Sequence, residues 1–487
     1  MQLAQFGAST ALIDGDGAQS YSALDDAANA VASVLVRAGV RPGSVVVTLC
    51  PAGRWWLAGT YGVWRAGAVL LPLEASHPPA ELRHPVTDSG VTHVLCTAES
   101  AELASELAAF TNAEIIDVRE AVAAGSSVKL PEISDENDAM IVYTSGTTGL
   151  PKGVVHTHRS LAAQCSAMVE AWDWTAADRI VCVLPLHHVH GLVNVTFTSL
   201  SVGAVLETPG QFDALETWER LASGDITIFM AVPTIYSRLV RAWLDADDET
   251  KARWSSRAAL LRLMVSGSAA LPVSILEQWR EISGHLLLER YGMTELGMAL
   301  GNTLDQRVPG HVGWPFPGVE VRIVSEDGTD LADGEVGELL VRGTQVFDRY
   351  LNRPDATSES FVDGWFRTGD VAQHTPDGYR LLGRASVDII KSGGEKVSAL
   401  EIEEVFRTHP AIADCAVVGL PDEEWGERVA MAWVADSADR PTDAELRSWG
   451  KERLAPAKVP FNYLCISELP RNPMGKVTKV AVKELFV

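Results

Sequence analysis

Tyr143-Thr-Ser-Gly-Thr-Thr-Gly-Leu-Pro-Lys-Gly-Val-Val-His-Thr-His158 is the stretch around which the chain is organised. Apolar Met140-Ile-Val-Tyr143 reads as a strand. It feeds a loop with hydroxyls at Thr144, Ser145, Thr147 and Thr148, glycines at Gly146, Gly149 and Gly153, and an ammonium at Lys152. These residue types cradle a polyphosphate: glycine lets backbone N–H groups approach anionic oxygens, hydroxyls donate, and lysine adds a point charge. Taken alone, the run also reads as a flexible Gly/Thr surface loop. It is not the common triphosphatase loop, which needs Gly-Lys-Ser/Thr; here Pro151 precedes Lys152 and Gly153 follows it.

The run resembles the phosphate-binding signature of the adenylate-forming enzymes, the superfamily of acyl-CoA synthetases, luciferase and the adenylation domains of peptide synthetases. Further segments match that pattern in order. Gly267-Ser268-Ala269 resembles the adenine-binding turn, although small-residue turns are common in any fold. In Tyr291-Gly292-Met293-Thr294-Glu295 the resemblance implies that Tyr291 stacks on adenine, Thr294 binds the α-phosphate and Glu295 holds Mg²⁺, a hard cation suited to oxygen ligands. In Trp365-Phe-Arg-Thr-Gly-Asp370 it implies that Asp370 grips the ribose hydroxyls, with Arg384 as a second ribose or phosphate contact. Pro470-Arg-Asn-Pro-Met-Gly-Lys476 resembles the adenylation-lysine segment. A cation there would stabilise the approach of a carboxylate to an α-phosphate. A lone lysine near a C-terminus is ordinarily solvated, so the surrounding motif carries that reading.

Composition bounds the rest. The 487 residues are 47% hydrophobic and 21% charged, which fits a globular protein of more than one domain. A formal net charge of −24 argues against nucleic-acid duplexes and anionic membranes as partners, and leaves small molecules. Cys50, Cys96, Cys165, Cys182, Cys415 and Cys465 are scattered, without a Cys-x-x-Cys pair. Reduced thiols in a cytoplasmic protein are the expectation. No basic leader opens the chain and no run of about 18 apolar residues interrupts it.

Strand and helix patterns alternate from Tyr21 to Leu288, with strands expected at 45–50, 68–73, 93–96, 179–184, 204–206, 226–232, 260–265 and 286–288, and a helix at 193–200. Ser22 is the expected cap of the first helix. The alternation predicts an α/β fold, parallel or mixed sheets covered by helices. From about residue 310 short β runs separated by Asp327-Gly328 and Asp333-Gly334 predict a β-rich subdomain. After Gly383-Arg384 two capping-box patterns, at Ser398 and Thr442, lie among strands and predict a compact α+β domain. The expected division is therefore 1–384 and 385–487. The resemblance makes the second part mobile. It implies that Lys391, Ser392, Gly393 and Gly394 line a coenzyme A tunnel and that the pivot falls at Ser386, where the family usually carries Asp or Lys.

For the acid, Pro185-Leu-His-His-Val-His-Gly191 matches the acyl-facing segment, placing His188 at the acyl group with Val189 and His190 alongside. Three histidines without an acidic neighbour in the sequence are a poor zinc set. Arg290 stands where the family usually has a neutral residue. Buried in an acyl pocket it would need an anion, which a second substrate carboxylate supplies; pairing with Glu289, or exposure to solvent, is the alternative. The run from Glu289 to Met298, with Ser386–Lys391 and Val397–Glu401, resembles the malonyl-CoA synthetase branch. That implies malonate, and methylmalonate in addition, with Met298 in the acyl pocket and Arg238 as a further anion contact that a solvated helix arginine explains equally well. The rivals are a short monocarboxylate or aryl acid, an acyl carrier protein in place of CoA, and a nucleotide-binding regulator without turnover.

Overall fold

The computed structural model describes residues 3–126, 128–144, 151–392, 395–422, 425–436, 440–471 and 476–486. The first half is built as the alternation predicts. Val45–Thr48, Val69–Pro72 and His93–Cys96 are buried at every position and pair in parallel. Strands covered on both faces read as unbroken apolar runs for that reason. They sit in a seven-stranded sheet with Glu114–Asp117 at one edge and Asp138–Thr144, Lys152–Thr157 and Arg349–Tyr350 at the other. Asp138–Thr144 and Lys152–Thr157 pair antiparallel, so the Gly/Thr run joins the two arms of a hairpin.

The second large sheet has nine strands. Leu288–Met293, Leu263–Ser266, Ile228–Ala231, Arg179–Val181, Val205–Glu207 and Thr10–Asp14 run parallel in that spatial order, and antiparallel strands close both ends. One apolar cluster packs between helices and both sheets, from Leu3 to Ala372.

Two local expectations are corrected. The first helix, Tyr21–Arg37, is capped by Ser20, whose Oγ accepts from the Ala23 N–H at 3.2 Å; Ser22 already lies inside the first turn. The strand expected at 286–288 runs Leu288–Met293 instead, because pairing with Gly297–Gly301 continues it past Arg290.

Val319–Val324, Val336–Gly343, Phe361–Val362, Trp365–Thr375 and Gly378–Arg384 form the β-rich sheet of five strands. A further five-stranded sheet contains Ile389–Ser392, Glu395–Ser398, Ile412–Asp422, Gly426–Ala435 and Asn462–Ile466. Helix Ala399–Arg407 packs Ile402 and Phe406 onto it. Its apolar clusters, from Ile390 to Val482, are separate from the large one. Val273 N–H donates to Glu404 Oε1 at 2.8 Å across the two parts.

Candidate active site

Three segments meet at the C-terminal ends of the parallel strands in the nine-stranded sheet, the edge where ligands collect in such sheets. The register pairs Ser266 with Glu289, so Gly267 and Arg290 come side by side. A Cβ on Gly267 would stand 2.5 Å from Arg290 Nε, so only glycine leaves the guanidinium its place. Arg290 is 6% exposed. Its Nη2 donates to Ser268 Oγ at 3.2 Å, while its Nε finds no partner among the described residues. Burial alone lowers the guanidinium to about 9. Glu289 projects to the opposite face, as strand alternation requires, and accepts from the Gly310 N–H at 2.8 Å. Burial lifts its carboxyl to about 8. The pairing of Arg290 with Glu289 is not made.

His190 opens an unusual helix, with His187 and His188 in the turn before it. His190–Phe197 winds as a π-helix, in which the Thr196 and Thr198 hydroxyls donate to the Gly191 and Val193 carbonyls five residues back. The helix expected at 193–200 thus starts earlier and is wider than an α-helix; such turns concentrate at functional sites. His190 Nδ1 lies 3.1 Å from Ser268 Oγ. The Nε2 atoms of His188 and His190 are both buried without a partner among the described residues. Burial, then His187 and Lys476, bring His188 down to about 3. Burial, then Arg290 and Lys476, hold His190 well below its ordinary value. Both rings are therefore neutral at pH 7. Val189 packs beside them against the core. Although no acid is near these histidines in sequence, Glu74 accepts from His187 Nδ1 at 3.1 Å.

Lys476 reaches this region from the far end of the chain. It keeps accessible surface, yet burial of its ammonium, followed by Arg290 and Arg384, lowers its pKa, with Asp370 opposing. The residues expected to meet the nucleotide lie next to it. Tyr291 OH donates to Asp370 Oδ2 at 2.5 Å, and Arg384 Nε lies 3.2 Å from Asp370 Oδ1 across a paired strand. Burial raises both the tyrosine and the carboxyl. Glu295 accepts from Tyr350 OH at 2.9 Å, and Lys152 Nζ sits 4.6 Å from the centroid of the same ring. Tyr350 had no signal in the sequence. It enters because Arg349–Tyr350 pairs with Val154–Val155, beside Lys152.

Other expected residues fall as follows. His156 Nε2 donates to the Thr294 carbonyl at 2.8 Å. Thr144 Oγ1 donates to the Lys152 carbonyl at 3.4 Å. Gly292 packs on Gly297 O so closely that a Cβ would be 2.0 Å away, and Met298 pairs with it across the hairpin. Met293 Sδ lies 3.8 Å from Tyr291 OH, and Ala269 is exposed. Arg238 is exposed, its guanidinium 6.0 Å from the Phe212 ring, and is not brought to Arg290 by any described hydrogen bond. Ser386 is exposed in a turn where the Val387 and Asp388 N–H groups both donate to the Arg384 carbonyl. Lys391 is exposed and its N–H donates to Glu427 Oε2 at 2.9 Å, while Ser392 is buried and pairs with Gly426. Ser145, Gly146, Thr147, Thr148, Gly393 and Gly394 lie outside the described residues.

Among the described residues no three His, Cys, Asp or Glu side chains gather as a metal site. Glu295 is a single carboxylate, 6% exposed, whose pKa burial raises. That donor set fits Mg²⁺ arriving with phosphate oxygens, since this ion keeps its waters and takes only one or two protein carboxylates.

The family model described as AMP-binding enzyme matches residues 1–351, and the one described as AMP-binding enzyme C-terminal domain matches 401–476. The chain belongs to the AMP-binding enzyme family. Among the relatives of this AMP-binding enzyme, mouse malonate–CoA ligase ACSF3, mitochondrial, is 43% identical across 99% of this chain and 88% of its own length. The malonate–CoA ligase of Arabidopsis thaliana is 42% identical across 88% of this chain and 76% of its own. The crystal structure of ATP-bound MatB from Rhodopseudomonas palustris superposes with a TM-score of 0.91 at 31% identity, covering 100% of this chain and 98% of that one. The o-succinylbenzoate CoA synthetase MenE of Bacillus subtilis, solved with ATP and magnesium, reaches 0.87 at 27% identity, covering 99% and 98%. The fold is thus that of the adenylate-forming enzymes, and no described helix is long and apolar enough to cross a membrane.

Proposed function

We propose that this AMP-binding enzyme is an ATP-dependent malonate–CoA ligase. The observation that carries the acid is Arg290: a buried guanidinium with an orphaned Nε and no carboxylate partner among the described residues. A buried cation left so is costly, and a substrate carboxylate returns that cost through charge-assisted hydrogen bonds. The names of the relatives support the same acid.

In this reading one malonate carboxylate rests on Arg290 and the other attacks the α-phosphorus of ATP. Pyrophosphate leaves and malonyl-AMP forms. Lys476 stands between the two anions and offsets their repulsion as charge builds. Asp370 and Arg384 hold the ribose, Tyr291 backs the adenine beside the Gly267 turn, and Thr294 and Lys152 hold phosphates, with Ser145 to Thr148 in the same role. Glu295 would hold Mg²⁺, which supplies neutralisation of phosphate charge when bound. The thiolate of CoA then adds to the acyl carbonyl of the adenylate, and AMP departs with the bond electrons. Lys391 to Gly394 and a pivot at Ser386 belong to this half-reaction, with division of the chain at 384–385. Arg238, exposed beside the Phe212 ring, is in this reading a second contact for the incoming dianion. Cytoplasmic placement belongs to the same proposal and rests on six free cysteines.

The test is CoA-dependent AMP release from ATP across malonate, methylmalonate, acetate, butyrate and benzoate, with Arg290→Ala in parallel. Malonate should lead, and the variant should lose it selectively. A monocarboxylate in the lead would overturn the acid assignment while leaving the ligase chemistry standing, and absence of turnover with every acid would overturn both.

A further inference from the structure

Ser268 holds an unusual position. It adopts a left-handed backbone, φ +70°, without being glycine, and its hydroxyl lies between Arg290 Nη2 at 3.2 Å and His190 Nδ1 at 3.1 Å. Left-handed non-glycine residues are strained and persist where the surroundings require them. Chemistry fixes the direction of the first hydrogen bond and leaves the hydroxyl proton free for the second. A guanidinium can only donate, so Ser268 Oγ accepts from Arg290. The hydroxyl proton is then left over, and its one described acceptor is His190 Nδ1. Accepting there puts the ring proton on Nε2, because a neutral imidazole has one donor and one acceptor. His190 is neutral, since burial and the neighbouring cations keep it so. Two orphaned, buried N–H donors result, Arg290 Nε and His190 Nε2, coupled through one hydroxyl.

We propose that Ser268 is a positioning residue for acid selection: by relaying the Arg290 hydrogen bond to His190 Nδ1 it fixes the imidazole as an Nε2–H donor, which joins Arg290 Nε–H in receiving the distal carboxylate of a dicarboxylic acid. This inference rests on the dicarboxylate reading of the site but goes beyond it. It makes specificity depend on a histidine tautomer and not on the arginine alone. A monocarboxylate leaves both donors unpaired, whereas a dicarboxylate satisfies both.

Two measurements test it. In wild-type protein labelled with ¹⁵N-histidine, long-range proton–nitrogen correlation spectra, with the His190 signals assigned by their loss in His190→Gln, should show protonated Nε2 and bare Nδ1. In steady-state AMP release, Ser268→Ala should raise the malonate KM about tenfold, as loss of one hydrogen bond to a charged group implies, and raise the acetate KM by a distinctly smaller factor. The glutamine of His190→Gln carries its own N–H near the Nε2 position and needs no relay. Introducing Ser268→Ala into that background should therefore cost distinctly less than in wild type. An Nδ1–H tautomer overturns the proposal even should Ser268→Ala fail to fold. So does an equal penalty on malonate and acetate, or the same penalty in both backgrounds. A wild-type enzyme with no preference for malonate over acetate would instead bring down the dicarboxylate reading itself, which separates the two failures.

Discussion

Replacing Arg290 by methionine should make the protein more stable while removing its use of malonate. Burial lowers the guanidinium to about 9 from an ordinary value of about 12.5, and at about 1.4 kcal/mol per pH unit this difference corresponds to about 5 kcal/mol. The sign follows from linkage: the unfolded chain binds this proton more tightly, so the whole penalty is present at pH 7 and is relieved only as pH rises beyond about 9. Methionine forfeits the bond to Ser268 and fills less space beside Gly267. The net gain should therefore be about 1–3 kcal/mol, in line with apolar replacement of other buried charges. In a chain of 487 residues that is a rise of about 1–3 °C. Thermal unfolding at pH 7, with and without malonate, reads both halves of the statement. Wild type should gain up to about 3 kcal/mol from malonate at a hundred times its dissociation constant, and Arg290→Met should gain nothing. A variant that melts at or below wild type and still responds to malonate would refute the argument that an unpaired buried cation is held there for the acid.

Three further outcomes are expected. Lys476→Ala should slow malonyl-AMP formation by about a hundredfold or more while sparing thioester formation from supplied malonyl-AMP; equal loss in both half-reactions, followed by quenched flow, would remove the assigned role. Tyr350→Phe deletes the donor to Glu295 while keeping the ring under Lys152. Burial already raises the Glu295 carboxyl and the hydrogen bond counteracts it, so the variant's KM for ATP should climb more steeply than wild type as the medium is made more acidic. Glu289, lifted to about 8, binds a proton more tightly folded than unfolded. Stability should decline as pH rises between about 4.5 and 8, and Glu289→Gln should flatten that decline in melting temperature against pH.

What the sequence determined by itself was whatever is local. Val45–Thr48 and His93–Cys96 read as buried strands because both of their faces are covered, so neither needs polar alternation. The family was legible in the Tyr143–His158 run, the Tyr291–Glu295 run and the Lys476 segment because each resemblance lies in consecutive residues. The capping box at Thr442 was legible too, since its reciprocal bonds with Glu445 span one turn. Long-range pairing decided the rest. Tyr350 became a partner of Glu295 only when a two-residue strand paired beside Lys152, and Glu74 reached His187 across 113 residues. The strand carrying Arg290 extends to Met293 because a hairpin partner continues it, which also turns Glu289 away from the arginine beside it. Whether Arg290 is paired depends on its register against Gly267 and on the hydroxyl of Ser268, contacts made between strands that no period or motif in either segment encodes. A side chain's type is local, but its desolvation and its partners are properties of the assembled sheet.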